Sequence, residues 1–381
     1  MDRSGSSIVE KHVDNDEEQN DSSLESSLET DSSSKSIILS SKDSAAPVLD
    51  VEVSNQLLKE AEKNTPLKNS DTQSSKAKAG PRIWAVGGGK GGVGKSLISA
   101  NFSLKMAQRG RKVVAIDLDL GGSNLHTCLG VAPPKYGVGD WVQGRKSDLE
   151  TIMSPTPYPG LAIISGSTDP LKIDLMLKDQ IDELFTQLRA LDADEVVVDL
   201  GAGSHQTTID FFNHVDEGIL SILPEPTSVE NAYRFIKAAF FGRLKKADVP
   251  RGIAEVIEAG TDPNNILGIK TPSDLMMIVE RMDPNAYEEL HTIVKHFKPH
   301  IVINQVRTPV DIDVGRAICS VCRRYFGLDV QYSGYLDYDS TVWKAIRNRK
   351  PVLKEFPLSP LSGRIDRLTS VLLGEEKGMF R

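Results

Sequence analysis

Eight consecutive residues have the types and spacing to bind phosphate: Gly89-Lys90-Gly91-Gly92-Val93-Gly94-Lys95-Ser96 fits G-x-x-x-x-G-K-[ST]. Each type has a physical reason. Glycines lack a Cβ, so successive backbone N–H groups can curl around an anion. Lys95 supplies a cation for β- and γ-phosphates, and the Ser96 hydroxyl suits Mg²⁺. A helix starting near Lys95 and running on through Leu97 points its positive dipole end at the same anion. The required context is present. The apolar run "RIWAVGG" precedes the loop, and the amphipathic "KSLISANFSLKMAQRG" follows it. Such a loop needs one lysine. This one has two, Lys90 and Lys95, five apart.

Carboxylates close two other apolar runs. Asp117 and Asp119 end "RKVVAIDLD", with Asn124 five beyond Asp119. Asp199 ends the apolar part of "VVVDLGAG", where a carboxylate can hold Mg²⁺ through a water. Gly201 and Gly203 behind it let backbone N–H groups approach a phosphate. A carboxylate beside a γ-phosphate is suited to hold a water in line for attack.

These residues need a scaffold, and the pattern around them supplies one. Short Val/Ile/Leu-rich runs ("RKVVAIDLD", "LAIISG", "EVVVDLGAG", "EGILSILPE", "HIVINQV", "LDVQYSGYL") alternate with helical patterns such as 173–191 and 228–241. Apolar strands alternating with helices predict an α/β fold: a doubly wound, mainly parallel sheet with helices on both faces. Ligands in such folds bind at the carboxyl ends of strands, where every motif above falls. Residues 243–285 fit the alternation less well and read as a helical insertion. Residues 1–80 are Ser-rich and acidic with almost no aromatics. They predict a disordered tail ahead of a P-loop domain over 81–381, with one short helix at 53–64.

Lys90 in K-G-G-V-G-K-S resembles the deviant Walker A motif of the MinD/ParA family of ATPases. The resemblance covers roughly 81–373 and is nearest to the flagellar-number (FlhG/FleN) and MinD branch. It implies ATP and Mg²⁺ as ligands, and a homodimer formed on ATP. In that family the Lys90 equivalent reaches the nucleotide of the other subunit. A cation delivered in trans neutralises facing phosphates, which makes dimerisation depend on the γ-phosphate. "DLDLGGSN" is similar to the family's first switch, D-x-D-x-x-x-x-N. This implies that Asp119 orients the attacking water, that Asp117 lies near Mg²⁺ and that Asn124 belongs to the site. "VVVDLGAG" resembles the Walker B strand and second switch, with Asp199 toward the metal and Gly203 toward the γ-phosphate. Leu200-Gly201 stands where the family has Thr-Pro. "PEPTSVENAYRFIK" resembles the segment near the family's dimer interface, with Thr227 or Ser228 as the helix cap. Asn304 in "VINQV" matches the asparagine that hydrogen-bonds adenine, and an amide offers the donor and acceptor that task needs.

The resemblance implies a switch that controls the place or number of a cell-envelope structure, such as the flagellum or division site, through an unidentified protein effector. Two other outputs are open to the same loop. Cys319-x-x-Cys322 resembles the pair of Mrp-type iron–sulfur carriers, although at this spacing the thiols can simply pack on a helix. "GRLKK", "CRRY" and "RNRK" are small basic clusters of the sort partition ParA proteins turn to DNA, and equally a solvated face. The net charge of −8 argues against a dedicated nucleic-acid binder. Three cysteines give no disulfide framework and fit a reducing cytoplasm. The polar, acidic start is unlike a signal peptide, and no apolar run approaches the ~18 residues a membrane span needs. The stripe Ile365, Leu368, Val371, Leu372 suits a core-closing helix. Met379-Phe380 leaves the inner face of the plasma membrane as a candidate contact.

Overall fold

The apolar runs become strands: β1 (Arg82–Gly87), β2 (Val113–Leu118), β3 (Ser154–Pro155), β4 (Leu161–Ile164), β5 (Glu195–Leu200), β6 (Glu217–Ile222), β7 (His300–Val306) and β8 (Gln331–Asp337). The α-helices among the described residues follow in chain order. They are α1 (Lys95–Gln108), α2 (Leu125–Leu129), α3 (Val138–Val142), α4 (Lys178–Ala190), α5 (Gln206–His214), α6 (Pro226–Leu244), α7 (Arg251–Ala259), α8 (Pro272–Met282), α9 (Pro284–His296), α10 (Pro309–Val321), α11 (Thr341–Arg347), α12 (Val352–Glu355) and α13 (Pro360–Leu372). This computed structural model describes residues 80–166, 176–262 and 264–376. The expected tail over 1–80, all but Gly80, its helix at 53–64 and Met379-Phe380 lie outside the described residues.

The sheet has eight strands in the order β3-β4-β2-β5-β1-β6-β7-β8. Every pairing is parallel except β3 with β4. Side chains alternate across it. Ile83, Ala85, Val114 and Ile116 face one layer with Phe212, Phe235 and Ile303. Trp84, Val86, Val113 and Ala115 face the other, with Phe102, Leu104 and Leu368. Both faces are covered, so β2 and β5 are buried at all six of their positions, and this explains their unbroken apolar sequence. The doubly wound α/β class expected from the sequence is the one observed.

Chain order and sheet order differ in a way that makes the site. Since β5 lies between β1 and β2, and all three run parallel, the loops leaving them emerge side by side at the carboxyl end of the sheet. Chain order reverses across β1, with β5 on one side and β6 on the other, which makes the ends of these strands the switch point where ligands of such folds bind. Residues 243–285 carry the end of α6, then α7 and α8. The last helix, α13, buries Leu361, Ile365, Leu368 and Leu372 in the second core layer, with Val371 only half-buried.

Candidate nucleotide-binding site

The loop from Gly88 to Gly94 joins β1 to α1 and is held from behind. Val93 is fully buried, and its carbonyl accepts two hydrogen bonds: from Ser221 Oγ at 2.7 Å and from Asn304 Nδ2 at 2.8 Å. Gly92 and Gly94 take left-handed φ of 78° and 91°. A Cβ on Gly89 would lie 2.4 Å from the backbone of Asn231 on α6, so loop and helix touch directly. Cβ atoms on Gly91 and Gly92 would meet nothing within 4 Å, so the loop's outer side is open. Gly94 caps α1 without a side chain, and the helix's first turn has no acid. Its leading N–H groups and dipole therefore face an anion without competition.

At Gly94 a methyl group meets both constraints, a φ of 91° and Asn304 Nδ2 at 2.2 Å. We expect Gly94→Ala to lower stability by about 1–3 kcal/mol and to weaken nucleotide binding more than tenfold. Thermal melting and titration of a fluorescent nucleotide check this. Unchanged affinity would mean that the loop does not hold phosphate in this shape.

Behind the loop, β2 and β5 bring two carboxylates together, with Asp117 opposite Asp199 in the parallel register. Both are buried. Asp117 Oδ1 accepts from the backbone N–H of Asp119 and Oδ2 from that of Leu125, each at 3.0 Å. Burial pushes Asp117 up to about 6 despite these bonds. Each of its oxygens thus accepts one bond from the 118–125 loop and keeps a lone pair. Asp117 thereby also staples the first switch. Asp199 is different. Oδ1 accepts from Ser99 Oγ at 2.9 Å, and Oδ2 is buried with no hydrogen-bond partner. Burial first, and then the charge of Asp117, pushes Asp199 up to about 8, and Ser96, Ser99 and Lys95 offset this only in part. Two adjacent buried carboxylates, an orphaned oxygen and a nearby serine hydroxyl are a donor set that suits a hard divalent cation.

The switch loops meet in front. Cβ atoms on Gly122 and Gly201 would each lie 3.5 Å from Asp119 Oδ1, so the half-buried Asp119 side chain sits between the loops after β2 and β5. Gly203, at φ 86°, donates its N–H to Gly88 O at 3.3 Å, which ties the second switch to the phosphate loop. Asn124 is exposed, and its Nδ2 donates to Gly122 O at 2.6 Å. Lys95 is buried at the start of α1, while Ser96 and Leu97 are half-buried.

Three placements carry contacts beyond those expected. Asn304 is buried and braces the loop at Val93, and its Oδ1 accepts from Gln305 N at 2.9 Å. One Nδ2 hydrogen and one Oδ1 lone pair remain for a base. Helix α6 starts at Pro226 after Glu225, so neither Thr227 nor Ser228 caps it; Ser228 Oγ accepts from Leu223 N at 3.0 Å instead. Lys90 is not a free loop lysine. Its Nζ sits 3.0 Å from Glu225 Oε2 and donates to Thr227 Oγ1 at 3.4 Å. Sequence reasoning missed Ser99, Ser221 and Glu225 as members of the site.

A family model described as the CobQ/CobB/MinD/ParA nucleotide binding domain matches residues 84–352, which include every residue above. The chain belongs to this family. It is a P-loop ATPase of the MinD/ParA type. The antiactivator FleN of Pseudomonas aeruginosa is 26% identical over 284 residues, 74% of this chain and 82% of FleN. The flagellum site-determining protein YlxH of Helicobacter pylori is 33% identical over 162 residues, but that match spans only 42% of this chain and 54% of YlxH. Among solved structures, the cell division ATPase MinD of Pyrococcus furiosus superposes with a TM-score of 0.52 at 20% identity, covering 77% of this chain and 99% of that one. The fold is thus the MinD/ParA fold.

The other constellations go elsewhere in this MinD/ParA frame. Cys319 lies near the end of α10 and is half-buried, while Cys322, just past that helix, is fully buried. Burial pushes the Cys319 thiol up to about 12 and Cys322 higher, so neither is a ready thiolate for a cluster. His300 is buried between Ser333 Oγ at 2.7 Å and Glu217 Oε2 at 3.2 Å. Among the described residues, no helix is long and apolar enough to cross a membrane.

Proposed function

We propose that this ATPase is a dimerisation switch, monomeric with ADP and paired face to face with ATP. The observation that carries it is the second lysine: Lys90 stands at the loop rim, held by Glu225, beside a loop that already has Lys95 for its own phosphates. In this assignment residues Gly89 to Leu97 hold the phosphates, with Gly203 beside the γ-phosphate and Asn124 and Asn304 flanking the nucleotide. Ser96, Asp117 and Asp199 would hold Mg²⁺, which would supply positive charge against the phosphates. Asp119, between the two switch loops, holds the attacking water. Residues 81–381 form the ATPase domain, and 1–80 are a tail.

The output we assign is control of the number or placement of a cell-envelope structure, the flagellum or the division site. The names of the relatives support it: an antiactivator, a flagellum site-determining protein, and septum site-determining proteins such as that of Escherichia coli, 30% identical over 156 residues. A protein effector is the expected partner, since a MinC:MinD complex of Aquifex aeolicus shares the fold at a TM-score of 0.52. We place the chain in the cytoplasm, with the inner face of the plasma membrane as a candidate surface and nucleic acid as a disfavoured one.

The test is molar mass by light scattering behind a sizing column. Asp119→Ala, which should bind ATP but hydrolyse it poorly, is run with Mg²⁺ and ATP or ADP. A dimer with ATP and a monomer with ADP is the expected result. A mass indifferent to nucleotide while ATP still binds would sink the switch.

A further inference from the structure

Ser99 is one turn into α1, three residues beyond Ser96, so the two hydroxyls share a helix face. It is fully buried, as is Ser103, whose hydroxyl donates to the Ser99 carbonyl at 2.7 Å. Ser99 Oγ donates to Asp199 Oδ1 at 2.9 Å, and Asp199 Oδ2 has no hydrogen-bond partner. A carboxylate at a strand end can rotate about its last torsion, whose preference is broad. One fixed donor on one oxygen removes that freedom and decides which oxygen stays available.

We infer that Ser99 is a positioning residue for the metal: it locks Asp199 Oδ1 from behind and so presents Oδ2, directly or through a water, to the cation that Ser96 faces. Ser99 itself touches neither cation nor nucleotide. It acts through Asp199, as groups that hydrogen-bond metal ligands commonly do, and loss of such a group typically costs about 10–100-fold in metal affinity. The inference rests on the assignment of Asp199 to Mg²⁺ above. Helix α1 would then contribute two layers of one metal site, Ser96 in front and Ser99 behind.

The test uses the full chain with a fluorescent ADP analogue. Nucleotide binding is titrated first in EDTA and then against rising Mg²⁺ for wild type, Ser99→Ala and Asp199→Asn, with melting temperature as a fold control. Ser99→Ala should raise the Mg²⁺ midpoint about tenfold while leaving the affinity in EDTA unchanged. A residue that only fills the core would move the melting temperature and leave the midpoint alone. Should Ser99→Ala not fold, Ser99→Cys, near in size and a weak donor, carries the same test. A midpoint within about twofold of wild type for a folded Ser99 variant overturns the inference, even where Asp199→Asn shifts it strongly. If Asp199→Asn leaves the midpoint unmoved as well, the metal assignment of Asp199 falls and the role of Ser99 falls with it.

Discussion

Asp199→Asn is expected to give a protein that melts higher than wild type without ligand and hydrolyses almost no ATP. The apo carboxylate is buried beside Asp117 and lacks a partner for Oδ2. Its ionised form is therefore costly, which is what the rise to about 8 expresses. The sign follows from linkage. A carboxyl with an ordinary value near 3.8 unfolded and about 8 folded takes up a proton on folding across that window. Apo stability is then greatest below the lower value and falls as pH rises toward the upper one. Asparagine keeps the Ser99 hydrogen bond and removes the charge, so it should flatten this slope. We expect a gain of about 2 kcal/mol in apo stability near pH 8, a few degrees in melting temperature, with no difference near pH 4. Mg²⁺-dependent hydrolysis should fall at least ~100-fold. Melting curves across pH and steady-state hydrolysis check both halves. A less stable, still active variant would remove Asp199 from the metal site.

Two inactive variants should restore each other if Lys90 acts across subunits. Lys90→Ala keeps its own Asp119, and Asp119→Ala keeps its own Lys90. In a mixed dimer the nucleotide on the Lys90→Ala subunit meets an intact Asp119 in cis and an intact lysine in trans. Random pairing of equal amounts makes half the dimers mixed, each with one competent site of two, so on the order of a quarter of wild-type activity should return. Each variant alone should lose ~100-fold or more, in the range of cationic groups supplied in trans to phosphoryl transfer. Hydrolysis measured against mixing ratio is the readout. A mixture no more active than its components would make Lys90 a residue of its own subunit.

The loop and the fold were legible because their signals are local. Eight contiguous residues specify the phosphate loop, and the unbroken apolar runs "VVAIDL" and "EVVVDL" specify strands buried on both faces. What surrounds the loop was not legible, since its contacts join residues far apart in the chain. Ser99 meets Asp199, 100 residues on; Ser221 meets Val93 across 128; Asn304 meets the same carbonyl across 211; Lys90 meets Glu225 across 135. A serine in an amphipathic helix carries no mark that separates a buried donor from a solvated one. The backbone contacts of Asp117 were hidden for a related reason. Asp117 lies within β2 and is held by backbone N–H groups of the loop that follows, whereas Asp119 lies past the strand's end, between the switch loops.

The grip of Glu225 on Lys90 is weak by construction. The side chains are 32% and 54% exposed, so the pair contributes only about 0.2–1 kcal/mol. At equilibrium roughly 15–40% of monomers then have this lysine swinging free. Delay in pairing in the proposed switch therefore does not come from releasing it, and added salt loosens the tether further. In the proposed switch the γ-phosphate then decides when two subunits stay together, and hydrolysis sets how long the pair lasts.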